Sequence, residues 1–302
     1  MYPKAWLLLP TALLLAACGS REQEAPTQAQ AEAPAPEPAA APAPETPATI
    51  TFAEAGTIPE GIEYDAKNNR FLVGSLSKGT VSVVNNDGSL TPFIQDPDLK
   101  SSVGIEVDEE RDRLLVANSD SAAFSGKSPG QAKLGIYRLD SGERVAMIDL
   151  AAAGPKDAKV HFANDLTVGD DGSVYVTDSF ARVIYKVDPS NNVSVFLPNS
   201  FGKAKQHMLN GIVFNPAGYL LVAETTAGEL YKVPVADPKS FSKVKVQDSI
   251  AGADGLVPHP NGSVIVVRND NSLSAVALSS TDDWASASPA GKGTFSVQGT
   301  TA

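Results

Sequence analysis

The chain has 302 residues, 42% of them hydrophobic, with one cysteine and a formal net charge of −11 at pH 7. That acidity argues against binding the phosphate backbone of nucleic acid, so no nucleic-acid partner is expected. A single cysteine excludes an internal disulfide, and a folded domain must draw its stability from its core.

Lys4 precedes a largely apolar run from Ala5 to Ala17, long enough for the hydrophobic part of a secretory signal and too short to span a bilayer. Residues 1–17 therefore read as a signal peptide. Leu15-Ala16-Ala17-Cys18-Gly19 closes the run and resembles the lipobox of bacterial lipoproteins, where the cysteine is lipidated and becomes the mature N-terminus. The resemblance implies an exported protein held to a membrane through Cys18. Gly19 stands where an aspartate would favour inner-membrane retention, which points to the periplasmic side of the outer membrane or to the cell surface. Residues 18–48 are mostly Ala, Pro, Glu and Gln. They cannot bury enough apolar surface to offset the entropy of ordering, and read as a disordered, extended linker.

Residues 49–302 read as one domain, expected to be monomeric, and a short pattern recurs through it. Glu60-Gly61-Ile62, Val103-Gly104-Ile105, Asn164-Asp165-Leu166, Asn210-Gly211-Ile212 and Asp254-Gly255-Leu256 lie at intervals of 43, 61, 46 and 44 residues. Each is followed by turn formers and then by a β-branched or aromatic stretch: Arg70–Val73, Arg113–Val116, Ser173–Val176, Tyr219–Val222 and Ser263–Val267. These stretches read as inner strands. Segments such as Gly228-Glu229-Leu230-Tyr231-Lys232-Val233 follow with two-residue alternation, as strands half buried between sheets. Repeats of four strands without helical periodicity predict an all-β fold, a six-bladed β-propeller. The longest interval contains an extra loop, about Asp120 to Lys133, in a position suited to a lid. A sixth tripeptide falls due near Thr300, so the sixth blade reads as incomplete, with Thr49 to Phe52 available as a ring-closing strand.

In a propeller the first residue of each tripeptide faces the central channel, and here Glu60, Asn164, Asn210 and Asp254 occupy that phase. Two carboxylates and two amide oxygens suit a hard cation such as Ca²⁺. With no free thiolate and three histidines, a tetrahedral zinc site is disfavoured. Each Asn or Asp alone would read as a turn former bonding to nearby backbone; four at one repeat phase favour a metal site.

The residues Pro59-Glu60-Gly61-Ile62, Asn164-Asp165-Leu166, Leu209-Asn210-Gly211-Ile212 with Leu221-Val222-Ala223-Glu224, and Ala253-Asp254-Gly255-Leu256 resemble the gluconolactonase and senescence marker protein superfamily, whose six-bladed propellers include paraoxonases. The resemblance spans about residues 59–302. It implies a central divalent cation, usually calcium, held by Glu60, Asn164, Asn210 and Asp254, and metal-assisted hydrolysis of a small-molecule lactone or related ester. Two positions depart from the family. Val103 stands at the phase of the histidine proposed as the base in paraoxonases, and Phe162 stands where gluconolactonases often carry a substrate-holding arginine. An apolar substrate is thereby favoured over a sugar acid lactone. Asp254 is a candidate base or nucleophile. His161 and His207, each three residues before a candidate ligand, are candidate proton acceptors near neutral pH, and solvent-facing loop positions are their plainer reading. The alternative function is a non-catalytic cell-envelope propeller with a structural metal, binding a protein, a polymer or a small ligand.

Overall fold

The computed structural model describes residues 49–198, 208–269 and 274–294. Cys18, the signal segment, the linker, His207 and Thr300 lie outside the described residues. Among the described residues the only helical elements are 3-10 turns of three to five residues. The alternating stretches form five consecutive antiparallel sheets. Blade I comprises Pro59–Asp65, Arg70–Ser75, Thr80–Val84 and Leu90–Gln95. Blade II comprises Ser101–Asp108, Arg113–Ser119, Lys133–Arg138 and Arg144–Asp149. Blade III runs through His161–Val168, Val174–Asp178, Val183–Val187 and Val193–Leu197, and blade IV through Leu209–Asn215, Tyr219–Glu224, Glu229–Pro234 and Ser242–Lys243. Blade V contains Ala253–Pro258, Val264–Arg268, Ser274–Ser279 and Ser286–Thr294.

The chain is thus an all-β propeller whose tripeptide-bearing strands lie innermost. The stretches read as inner strands from their β-branched content, Arg70–Val73 and its counterparts, fall in the second strand of each blade. They earn that content by being covered on both faces: Leu114, Leu115 and Val116 are all fully buried.

Pairing between first and second strands slips at the tripeptide in all five blades, between residues 59 and 62, 102 and 105, 163 and 166, 209 and 212, and 253 and 256. A bulge leaves ladder groups unpaired and re-aims side chains. Small second residues let neighbouring inner strands approach closely at this point. A Cβ added at Gly61 would stand 2.6 Å from the Val103 carbonyl oxygen, and one at Gly211 2.4 Å from that of Asp254. The recurring Gly is therefore a packing requirement. Asp165 is the exception and uses its side chain to bridge blades, accepting from the Ile212 backbone N–H at 2.9 Å.

Five blades are formed among the described residues, in keeping with a sixth that is incomplete. Four apolar cores join blades I to II, II to III, III to IV and IV to V. A closed ring of five would need a fifth core. Among the described residues no cluster joins blade V to blade I, and Ile62, Tyr64 and Val257 on the inner strands of those two blades stay 47%, 44% and 41% exposed. Thr49 to Phe52 forms no ring-closing strand. Its backbone instead lies over the turn at Gly88 in blade I, a position with φ of +82° where a Cβ would meet the Thr51 carbonyl oxygen at 2.1 Å.

Candidate metal site and channel

The first tripeptide residues sit at the bulges of the inner strands, and among Glu60, Asn164, Asn210 and Asp254, Asn210 contacts Asp254 directly. Asn210 is 6% exposed, and its amide nitrogen donates to Asp254 Oδ1 at 2.6 Å and to Thr225 Oγ1 at 3.1 Å. Asn164 likewise donates from Nδ2 to Ser179 Oγ at 2.9 Å. Each amide thus donates at least one N–H to the protein, and its carbonyl oxygen is the atom a cation would take. Glu60 and Asp254 are half-buried, and both are close enough to the axis for their fields to act on Asp165. No group of three or more His, Cys, Asp or Glu side chains suited to a metal occurs among the described residues. The candidate set contains only two carboxylates, so a cation there would need the amide oxygens. That hard-oxygen chemistry fits Ca²⁺.

The mouth is held by a repeated device. The second strands of blades II, III and IV carry a buried polar residue at or next to their last position, Asn118, Asp178 or Glu224, all 0% exposed. Each accepts a backbone N–H at or just before the start of the inner strand: Lys100 to Asn118 Oδ1 at 3.1 Å, Phe162 to Asp178 Oδ1 at 2.9 Å and Met208 to Glu224 Oε1 at 3.0 Å. The next residue is a hydroxyl donor to the following blade. Ser119, Ser179 and Thr225 reach the carbonyl oxygens of Ala163, Leu209 and Ala253 at 2.7, 2.6 and 2.7 Å. Buried backbone groups freed by the bulge are satisfied in this way. The dipeptides Asn118-Ser119, Asp178-Ser179 and Glu224-Thr225 were visible as a second repeat, and aligning the units past the tripeptide reveals them.

His161 sits at the first position of the blade III inner strand, and its Nδ1 lies 2.8 Å from Asp178 Oδ2. That hydrogen bond, above all, raises the imidazole pKa, against the opposing effect of burial. Asp178 is itself fixed by the N–H groups of Phe162, Phe180 and Ala181 and by the Tyr185 hydroxyl. His259 belongs to a turn, where its Nδ1 accepts from the Asn261 N–H at 3.3 Å.

The extra loop joins the second and third strands of blade II. It contains a 3-10 turn, Ser121–Ser125, started by Asp120, whose Oδ1 accepts from Ala122 N–H. Its other end, Gly130–Gln131, pairs in parallel with His161 and Phe162 of blade III. The loop is therefore stapled to the neighbouring blade.

At the other end of the inner strands the channel widens into a cavity of about 550 Å³, lined among others by Glu63, Glu106, Asp165, Ile212 and Phe214. Burial pushes the carboxyls of Asp165 and Glu63 up to about 7. The fields of Asp254 and Glu60 add to the shift of Asp165, opposed by the Ile212 and Leu166 N–H groups, and the field of Asp165 adds to that of Glu63. Glu106 is raised for the same reason, burial first and then the charge of Glu63.

A sequence model of the SMP-30/gluconolactonase/LRE-like region matches residues 58–283. The chain belongs to this family. No curated protein sequence matches it. Among solved structures, this SMP-30/gluconolactonase-like chain is similar to the major Malassezia sympodialis allergen Mala s 1, with 21% identity, 79% of each chain covered and a TM-score of 0.65. It is also similar to a Xanthomonas campestris gluconolactonase, at 15% identity over 77% of this chain and 75% of that one, with a TM-score of 0.55. Virginiamycin B lyase from Staphylococcus aureus shares 13% identity over 82% and 88% of the two chains, with a TM-score of 0.55. At these identities the neighbours establish the propeller fold.

Proposed function

We propose that this family member is a calcium-dependent hydrolase of a lactone or related ester, with Glu60, Asn164, Asn210 and Asp254 as the metal ligands. The observation that carries the reading is the orientation of the two amides, both turned by Ser179, Thr225 and Asp254 so that carbonyl oxygens remain for a cation. Family membership supports the hydrolase class. The bound ion would supply Lewis acidity, polarising the carbonyl and favouring the oxyanion. The chain's own residues supply the rest. His161, anchored through Nδ1 to Asp178, presents Nε2 as the proton acceptor in its neutral form. Asp254 is the second candidate for accepting a proton, and His207, outside the described residues, is the third.

Elemental analysis of the purified protein, wild type and Glu60→Gln, together with a lactone assay in chelator, tests the reading. One bound calcium in the wild type, reduced in the variant, with turnover lost in chelator, is the expected result. Turnover that persists without metal would overturn it. One observation favours a second reading: Val103, 3% exposed, presents no polar group at the blade II phase. In a non-catalytic envelope propeller the metal would raise Tm with no ester or lactone hydrolysed.

The same proposal places the domain outside the cytoplasm, tethered through Cys18. Loss of membrane association in Cys18→Ser is the expected outcome.

A further inference from the structure

Blade III differs from its neighbours beside the mouth. Two residues before the tripeptide, the other blades carry Ile58, Ser101, Met208 and Gly252, and blade III carries Phe162. After the hydroxyl or its equivalent, blades I, II and IV carry Ser77, Asp120 and Thr226, and blade III carries Phe180. The stapled loop then brings a third ring. Phe124 lies 4.7 Å from the Phe162 ring centroid and 5.3 Å from that of Phe180, while Phe162 and Phe180 are 5.9 Å apart, all edge-on. Phe162 is 1% exposed and closes the cluster from below, whereas Phe124 keeps 53% of its surface open. The cluster is linked to a candidate ligand through the chain: Phe162 is two residues before Asn164 on the same strand, and Phe180 follows Ser179, whose hydroxyl receives the Asn164 amide.

We infer that Phe124, backed by Phe162 and Phe180, is a specificity-determining residue that receives the alkyl or aryl substituent of the substrate. This rests on the lactone reading of the mouth and deepens it. Phe124 packs on two rings and leaves more than half of its own surface open. Here two rings are spent on holding the third outward, and the loop that carries it is fixed at both ends. Lys100 Nζ and Ser128 Oγ bind Asp120 Oδ2 at 3.1 and 2.8 Å, and Gly130–Gln131 pairs with blade III. A rigid aromatic face beside a polar centre selects by apolar area. It would favour lactones with an alkyl tail over polyhydroxylated ones, because hydroxyls laid against three rings lose water without gaining partners.

The test is the ratio of kcat/KM for γ-nonalactone to that for γ-butyrolactone, in the calcium-loaded wild type, Phe124→Ala and Phe124→Leu. Each methylene moved out of water is worth about fourfold. The wild-type ratio is expected to exceed about thirtyfold, to fall below about fivefold in Phe124→Ala, and to be partly kept in Phe124→Leu. Equal ratios in all three proteins, or a wild type that prefers gluconolactone, would overturn the inference. If no lactone is turned over, the hydrolase reading fails by itself. Titration calorimetry with γ-nonalactone then decides the subsite: binding by wild type that is weakened at least fivefold in Phe124→Ala upholds it, and equal or absent binding removes it.

Discussion

The two ends of the channel use the same residue types in opposite ways. At the mouth, the Asn210 and Asn164 amides donate to Thr225, Asp254 and Ser179, and in blade order the two amides lie between the carboxylates Glu60 and Asp254. At the far end Glu63, Glu106 and Asp165 share one cavity with apolar neighbours, and their negative charges oppose one another's ionisation. Neutral donors between charges make a place where a cation can replace water; adjacent carboxyls in an apolar wall hold protons instead. The comparison teaches that a count of acidic residues near an axis says little about metal binding, and that the spacing of amides between them says more.

The largest expected difference is in activity. Asp254→Ala is expected to lower lactone kcat/KM by about a hundredfold or more, as loss of an electrostatic stabiliser does, while Glu106→Gln changes it by less than about threefold; steady-state kinetics on both variants checks this. Equal losses would erase the distinction between the two ends.

Next comes a change at the level where the two ends meet. Gly211→Ala puts a methyl group against the Asp254 carbonyl oxygen and is expected to cost about 1–3 kcal/mol. Denaturant unfolding would measure it, and calcium affinity should fall in parallel because blades IV and V are pushed apart at a ligand.

Ser179→Ala removes the donor to Leu209 and the acceptor for Asn164, with an expected cost of about 1–2 kcal/mol in unfolding free energy. A matched loss at Ser89, which bonds within an exposed turn of blade I, should be within about 0.5 kcal/mol.

The smallest effect is a pH dependence specific to the far end. Glu63 has a folded pKa of about 7, above its ordinary value of 4.5. The unfolded chain therefore releases this proton first, and the contribution of Glu63 to stability declines as pH rises from about 4.5 to about 7. Comparing Tm of wild type and Glu63→Gln across that range, the variant is expected to gain about 3–6 °C on the wild type by pH 7.5. A constant difference at all pH values would place Glu63 in contact with water.

Much of this was legible in the chain. The tripeptide spacing gave the blades, because each unit repeats the same bulge, and Gly61, Gly104 and Gly211 are Gly because neighbouring inner strands approach closely there. The paired amides and carboxylates were legible as a phase. The His161–Asp178 contact was not, since the two residues are 17 positions apart and only the antiparallel register of blade III brings them together. Nor were the raised pKa values of Glu63 and Glu106, residues that alternate with Ile62, Ile105 and Val107 as solvent-facing strand residues would.

The sequence by itself determined the β-repeat and the phase shared by Glu60, Asn164, Asn210 and Asp254, because those depend on local periodicity. The tertiary structure alone decided the number of sheets that close on one another, the pairing that turns the amides of Asn164 and Asn210, and the meeting of Phe124 with Phe162 and Phe180. Those depend on distances between blades, which no periodicity along one strand encodes.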